Sequence, residues 1–116
     1  MTANSTKTKK AKARVLQDLV AGKLRETFGL SPNDISPALM GDSGIDIKLS
    51  DSARKLFGYG VECKFQESIS IWECLKQAEE NSKKEKLEPL LVFKRSRSKV
   101  YAVIEFEEFI KLVANK

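Results

Sequence analysis

Between residues 45 and 66 the sequence twice alternates apolar and polar side chains one for one, and this constrains the fold more than any other feature of the chain. In GIDIKLS, Ile45, Ile47 and Leu49 fall on one face and Asp46, Lys48 and Ser50 on the other. In YGVECKFQ, Val61, Cys63 and Phe65 oppose Glu62, Lys64 and Gln66. Successive side chains leave a pleated backbone on opposite sides, so a period of two marks a half-buried strand. Two strands are predicted, each with an apolar face to bury and a polar face turned outward. The stretch 51–60 between them reads as a turn, with room for one helical turn at SARKLF.

Helices flank this pair. From 11 to 28 the residues Val15, Leu16, Leu19, Val20, Leu24 and Phe28 recur at three-to-four spacing, and Gly29 is a fitting terminator. The stretch 30–44, with prolines at 32 and 37 and glycines at 41 and 44, reads as loop. A second helix is predicted over 70–84, where Ile71, Leu75, Ala78 and Ser82 line one side. PLLVFKR and KVYAVIEF, separated by Ser96, Arg97 and Ser98, form a predicted hairpin, and EEFIKLVANK a short last helix. The order helix, two strands, helix, two strands, helix predicts an α/β (α+β) domain: a mixed central sheet of about four strands flanked by helices. A chain of 116 residues, 41% of them hydrophobic, can bury one core but not two. Residues 11–116 are therefore expected to form one domain, and the Lys/Thr/Ser-rich stretch 1–10 an unstructured basic tail.

Composition removes several chemistries. Histidine is absent, which excludes an imidazole base, a Ser-His-Asp triad and the usual zinc sites. The two cysteines, Cys63 and Cys74, lack zinc-site spacing and read as reduced thiols. No run approaches the roughly 20 apolar residues of a membrane span, and no apolar stretch follows the basic start as in a signal peptide, so a cytoplasmic protein is expected. Lys and Arg outnumber Asp and Glu by 21 to 16, a net charge of +5 that suits a polyanionic partner and equally serves solubility.

Carboxylates and lysines are left as the reactive groups. Hydrolysis of a phosphodiester by a hard divalent cation needs oxygen ligands for the ion and a positive group near the attacking water or the developing charge. Glu62 and Lys64, two apart on one strand face and roughly 6.6 Å apart along it, supply one of each. Asp46 joins them if the two strands pair as an antiparallel hairpin. An E-x-K tripeptide alone is weak, since solvated strand faces often alternate charge. Here the aspartate on the neighbouring strand, the strand-forming context VECKF and the following amphipathic helix agree.

These residues, in the stretch GDSGIDIKLSDSARKLFGYGVECKFQESISIWECLKQAEEN, resemble the PD-(D/E)XK nuclease superfamily, and more closely its small Holliday-junction-resolvase-like members found in archaea and phages. The resemblance spans 14–113 and implies a restriction-endonuclease-like core. It implies Asp46 and Glu62 as metal ligands and Lys64 as the catalytic lysine. The residue before Asp46 is Ile45 rather than the proline of the family's name, a position that often varies. Asp42, in Gly41-Asp42, competes for the role of first ligand but lies in a Gly/Ser loop that suits a turn former. Family members often add a glutamate from the first helix, and Glu26, on the edge of the apolar stripe, is the candidate, with an ion pair to Lys23 or Arg25 as the blander reading.

Gln66 continues the polar face beyond Lys64 and can reach a phosphate; Gln77 lies on the following helix, where relatives often carry a glutamine. Trp72 and Phe65 offer base stacking, though a lone tryptophan near a helix start more often packs in a core. Two basic clusters stand apart in sequence: Lys7, Lys9, Lys10, Lys12 and Arg14 in one, Lys94, Arg95, Arg97 and Lys99 at the hairpin tip in the other. They offer two separate places for phosphate contacts, which read backbone and shape rather than base sequence.

The expectation is a DNA endonuclease using Mg²⁺ or Mn²⁺ held by Asp46, Glu62 and a backbone carbonyl, that of Cys63. Its substrate is branched DNA, foremost a four-way junction, and two symmetric cuts imply a homodimer. Two alternatives share the residues: a related nuclease acting on flaps, nicks or single strands, and a basic nucleic-acid-binding module in which Glu62 and Lys64 form a surface ion pair. A ribonuclease H fold is disfavoured, because it opens on a strand meander and this chain opens on a helix.

Overall fold

The first helix is longer than its apolar stripe. In a computed structural model, which describes residues 6–39 and 44–115, α1 spans Thr6–Phe28. It therefore takes in residues 6–10, which the sequence assigns to a tail; lysine and alanine propagate a helix well, and charge alone does not end one. Gly29 stops it with φ +65°, and the Leu30 N–H donates back to the Arg25 carbonyl at 3.0 Å. Leu16, Val20 and Ala21 are buried, whereas Val15 and Leu19 are 58% and 49% exposed. The helix lies on the sheet along a narrower seam than six apolar residues suggest.

The segment that reads as loop contains a strand. β1 (Ile35–Pro37) pairs antiparallel with β2 (Ile47–Leu49), Ile35 opposite Leu49. Ser50 then caps α2 (Asp51–Leu56), accepting from the Ala53 N–H at 3.1 Å while its own hydroxyl donates to Asp34 at 2.8 Å. β3 (Tyr59–Phe65) runs parallel to β4 (Glu88–Lys94), with α3 (Ile71–Lys84) as the crossover, and β5 (Tyr101–Val103) closes antiparallel on β4. α4 (Phe106–Ala114) ends the chain, tied to β3 by the Tyr59 hydroxyl donating to Glu108 at 2.7 Å.

Among the described residues the fold is thus mixed α/β, with a two-stranded sheet and a three-stranded sheet in place of one sheet of four. β2, which Asp46 immediately precedes, does not form a hairpin ladder with the strand bearing Glu62. Its ladder partner is β1, and the link to β3 is made by Asp46 itself: its N–H donates to the Val61 carbonyl at 2.8 Å, while its carbonyl accepts from the Ala38 N–H at 2.8 Å. Asp46 therefore stitches the two sheets together through its main chain.

β3 is covered on both faces. Val61 and Cys63 pack with Leu16, Val20, Ile35, Ile47 and Val92 in the main core. On the other face, Gly60 receives the Ser82 hydroxyl of α3 on its carbonyl at 3.1 Å, and a Cβ at residue 60 would run into that hydroxyl. Only glycine lets α3 come this close. Burying a side chain such as Leu16 or Ile47 contributes about 1.5–3 kcal/mol, while an exposed ion pair such as Arg14–Asp18 contributes under about 1 kcal/mol. The core, not the many surface charges, decides where α1 and β3 sit.

Trp72 is not a core residue. It is 83% exposed at the start of α3, whose buried residues are the small Cys74, Ala78 and Ser82. No helix among the described residues is long and apolar enough to cross a membrane.

Candidate active site

The alternation along β3 puts Gly60, Glu62 and Lys64 on the face toward α3, and close helix packing at Gly60 turns that face from solvated to covered. Glu62 is only 4% exposed. Its Oε1 accepts from the Asn81 side-chain amide of α3 at 3.3 Å, and its Oε2 lies 3.8 Å from the Lys64 ammonium. A lone carboxylate would not remain ionised in such a place.

Asp46 reaches the same point from the sheet junction. Its Oδ2 accepts the Cys63 N–H at 2.7 Å, so the backbone of β3 holds the carboxylate beside the strand that carries Glu62. The Asp46 charge acts on Glu62. Burial first, and the Asp46 charge second, push Glu62 up from its ordinary 4.5 to about 7, against the opposing pull of Asn81 and Lys64. Asp46 is also raised, by burial, with the Cys63 N–H and Lys64 holding it back. Burial and the same two carboxylates drive the Cys63 thiol upward, so it stays a protonated core residue. Cys63 and Cys74 are both free thiols.

Asp46, Glu62 and Lys64 are thus brought together, though by a junction and a buried strand rather than an exterior hairpin. Asn81 completes the cluster and is a residue that sequence patterning alone does not single out. A signal is nevertheless present: Cys74, Ala78 and Asn81 recur at four and three, which brings Asn81 to the edge of the buried side of α3. Gln77 on that helix is exposed, as is Gln66, whose N–H donates to the Lys94 carbonyl at 3.1 Å.

Glu26 does not join. Its side chain is 76% exposed and lies 3.4 Å from the Lys23 ammonium. Its expected place beside the apolar stripe depends on Leu19, which is itself half exposed, so two helical turns on from it lies solvent. Among the described residues no group of three or more His, Cys, Asp or Glu side chains stands ready to hold an ion; Asp46 and Glu62 form a pair. Asp42 and the side chain of Lys7 lie outside the described residues.

The two basic clusters, separate in sequence, meet in space. Lys12 on α1 and Lys94 at the end of β4 both place their ammonium over the Phe65 ring, 5.5 and 4.4 Å from its centroid. Lys9 and Lys12 line one groove with Lys64, Phe65 and Gln66. Arg95 and Arg97 line the adjoining hollow at the turn, where Arg97 takes φ +62°. Lys10 and Lys99 are exposed, and Arg14 is occupied by Asp18 at 3.2 Å. No family model, curated protein or solved structure matches the chain.

Proposed function

We propose that this protein is a metal-dependent DNA endonuclease of the PD-(D/E)XK kind, with a restriction-endonuclease-like core, that cuts branched DNA, foremost a four-way junction. The observation that carries the reading is the buried Glu62, raised to about 7 beside Asp46, with Lys64 alongside. Burying Glu62, with Asp46 half-buried beside it, against one ammonium leaves surplus negative charge where it is costly. A binding protein gains nothing from that arrangement, whereas a hydrolase that recruits a cation does.

The pair fits Mg²⁺ or Mn²⁺. Both carboxylates offer hard oxygen donors, the one Lys64 ammonium offsets their charge only in part, and Mg²⁺ uses few protein ligands while keeping several waters. Asp46 and Glu62 would hold it, with the Cys63 carbonyl as a third oxygen. When bound, the ion polarises the phosphate and acidifies water. Cys63 N–H and Asn81 orient the two carboxylates through the hydrogen bonds described above, and Lys64 offers a donor to the attacking water or to the charge growing on the phosphate.

The test is a cutting assay on a synthetic junction, a flap, a duplex and a single strand, each with Mg²⁺ and with EDTA. Paired symmetric nicks in the junction with Mg²⁺, and none with EDTA, are expected. Cutting confined to the flap or single strand keeps the nuclease and replaces the substrate. No cutting of any substrate removes the nuclease and leaves a nucleic-acid-binding module.

Two matched cuts from one site per chain call for a homodimer with a two-fold axis. Support comes from α4, where Phe106, Phe109, Ile110 and Val113 form an apolar stripe 71%, 47%, 46% and 46% exposed. Glu107 and Lys111 flank it, and two such helices packed antiparallel set Glu107 of one copy near Lys111 of the other. Ile110→Asp is expected to convert a dimer into a monomer in sedimentation velocity at micromolar concentration; a wild-type monomer throughout that range removes the dimer.

A further inference from the structure

The Phe65 ring carries two ammonium groups, one from each basic cluster, and it immediately follows Lys64 on β3. Glu67 fixes this arrangement. Its Oε2 accepts the Ser96 N–H at 2.9 Å and the Ser96 hydroxyl at 2.7 Å, which ties the β4–β5 turn to the end of β3, and Lys12 lies 3.9 Å from the same oxygen. The Ser96 hydrogen bonds first, and the Lys12 and Arg95 charges after them, hold the Glu67 carboxyl below its ordinary value.

We infer that this groove holds the sugar–phosphate backbone of one DNA strand as it leaves the bond beside Lys64, with Phe65 as the shelf that keeps Lys12 and Lys94 positioned for neighbouring phosphates. The physical reason lies in what an aromatic ring does to an ammonium. It attracts the cation without neutralising it. A salt bridge holds a lysine in place but cancels its charge, as Asp18 does for Arg14. Lys94 makes its contacts with the Phe65 ring at 4.4 Å and the Arg95 carbonyl at 3.0 Å, both of which leave its full positive charge for a phosphate. The ring is occupied by cations, so it serves as a platform for lysines and not for bases. Lys64 and Phe65 leave β3 on opposite faces, but both line this one groove with Lys9 and Lys12, so a strand with one phosphate at Lys64 runs on to the pair. The inference rests on the nuclease reading for what is cut and not for what is bound.

The experiment measures binding without cutting. The full chain is titrated in Ca²⁺ buffer against a labelled duplex of arbitrary sequence and against its single strand, over a range of NaCl concentrations. For the duplex, Lys12→Ala/Lys94→Ala is expected to lower the slope of log K against log[NaCl] by about 0.9 to 1.8: about 0.9 for the phosphate that Lys94 no longer neutralises, and less for Lys12, whose charge Glu67 partly offsets. Lys23→Ala, remote from the groove and paired with Glu26, leaves the slope as it was. Phe65→Leu keeps both charges and a similar apolar bulk; it is expected to weaken binding to both probes several-fold with little change in slope. An unchanged slope in the double variant overturns the inference, as does a Phe65→Leu effect confined to the single strand, which is the mark of base stacking. Cutting activity separates the two readings. A protein that cuts but shows an unchanged slope loses the groove alone, and one that shows the slope change but cuts nothing loses the nuclease alone.

Discussion

Glu62→Gln is expected to abolish cutting and, at pH 8 without metal, to give a more stable protein than the wild type. The two effects share one cause. Glu62 is held at about 7 in the fold by burial and by the Asp46 charge, against 4.5 when unfolded. A carboxyl whose folded value is raised binds its proton more tightly in the folded chain. Its stabilising contribution is complete below 4.5, declines as the unfolded chain ionises, and is gone above about 7. Across that window the change is about 3 kcal/mol, at about 1.36 kcal/mol for each pH unit between the two values, or on the order of 10 °C in melting temperature for a domain of this size. Asp46, raised by burial, adds to the same trend. Glutamine keeps the shape and the Asn81 contact but has no charge to bury, so its melting temperature in EDTA should change far less between pH 5 and pH 8. Cutting should fall by at least about a thousandfold, the effect expected when a group that positions the reacting centre is removed. Calorimetry in EDTA at the two pH values decides the stability half. A wild type that melts at the same temperature at both, with Glu62→Gln less stable at both, would show that Glu62 is an ordinary satisfied core residue.

This arrangement also shows where the sequence is readable and where it is not. α1, β3, α3 and α4 carry their periods openly, because each buries one side against something larger and local patterning records which side. β1 does not: three residues ending on a proline, set among turn-forming Asn, Asp and Ser, leave no period to read, and the strand's place is set by pairing with β2. The same limit hides the character of Glu62. Alternation on β3 separates two faces but cannot say what covers each, and only the close approach of α3 at Gly60 turns the polar face inward. Glu62 and Lys64 are legible as a pair because one-residue alternation fixes their side of β3, while Asp46, just before β2, joins them through the Cys63 N–H. Asn81 is not, since a polar residue at the edge of an amphipathic helix resembles every other exposed amide until its partner is known. The meeting of Lys12 and Lys94 over Phe65 is a long-range fact, set by α1 lying along β3 and by Glu67 holding the turn.

Removing Lys64 is expected to have the opposite effect on stability and the same effect on cutting. Its ammonium lies 3.8 Å from Glu62 and is the positive charge that holds both Asp46 and Glu62 down. Without it the two carboxylates repel each other unrelieved, so Lys64→Ala should be less stable than the wild type at pH 8 and nearer to it at pH 5, where Glu62 is protonated. Cutting should fall by about a hundredfold or more, since a donor aimed at developing charge is gone. Binding to a junction in Ca²⁺ should weaken by no more than about tenfold, as befits a single phosphate partner among several. The opposite signs at pH 8, Glu62→Gln up and Lys64→Ala down, distinguish a strained cluster from a surface ion pair, in which either change shifts stability by under about 1 kcal/mol. Melting curves of the two variants in EDTA, beside cutting rates in Mg²⁺, make the comparison. If both variants melt within about a degree or two of the wild type at pH 8, the charges at 46, 62 and 64 are not pressed together as described, and the case for a cation between Asp46 and Glu62 goes with them.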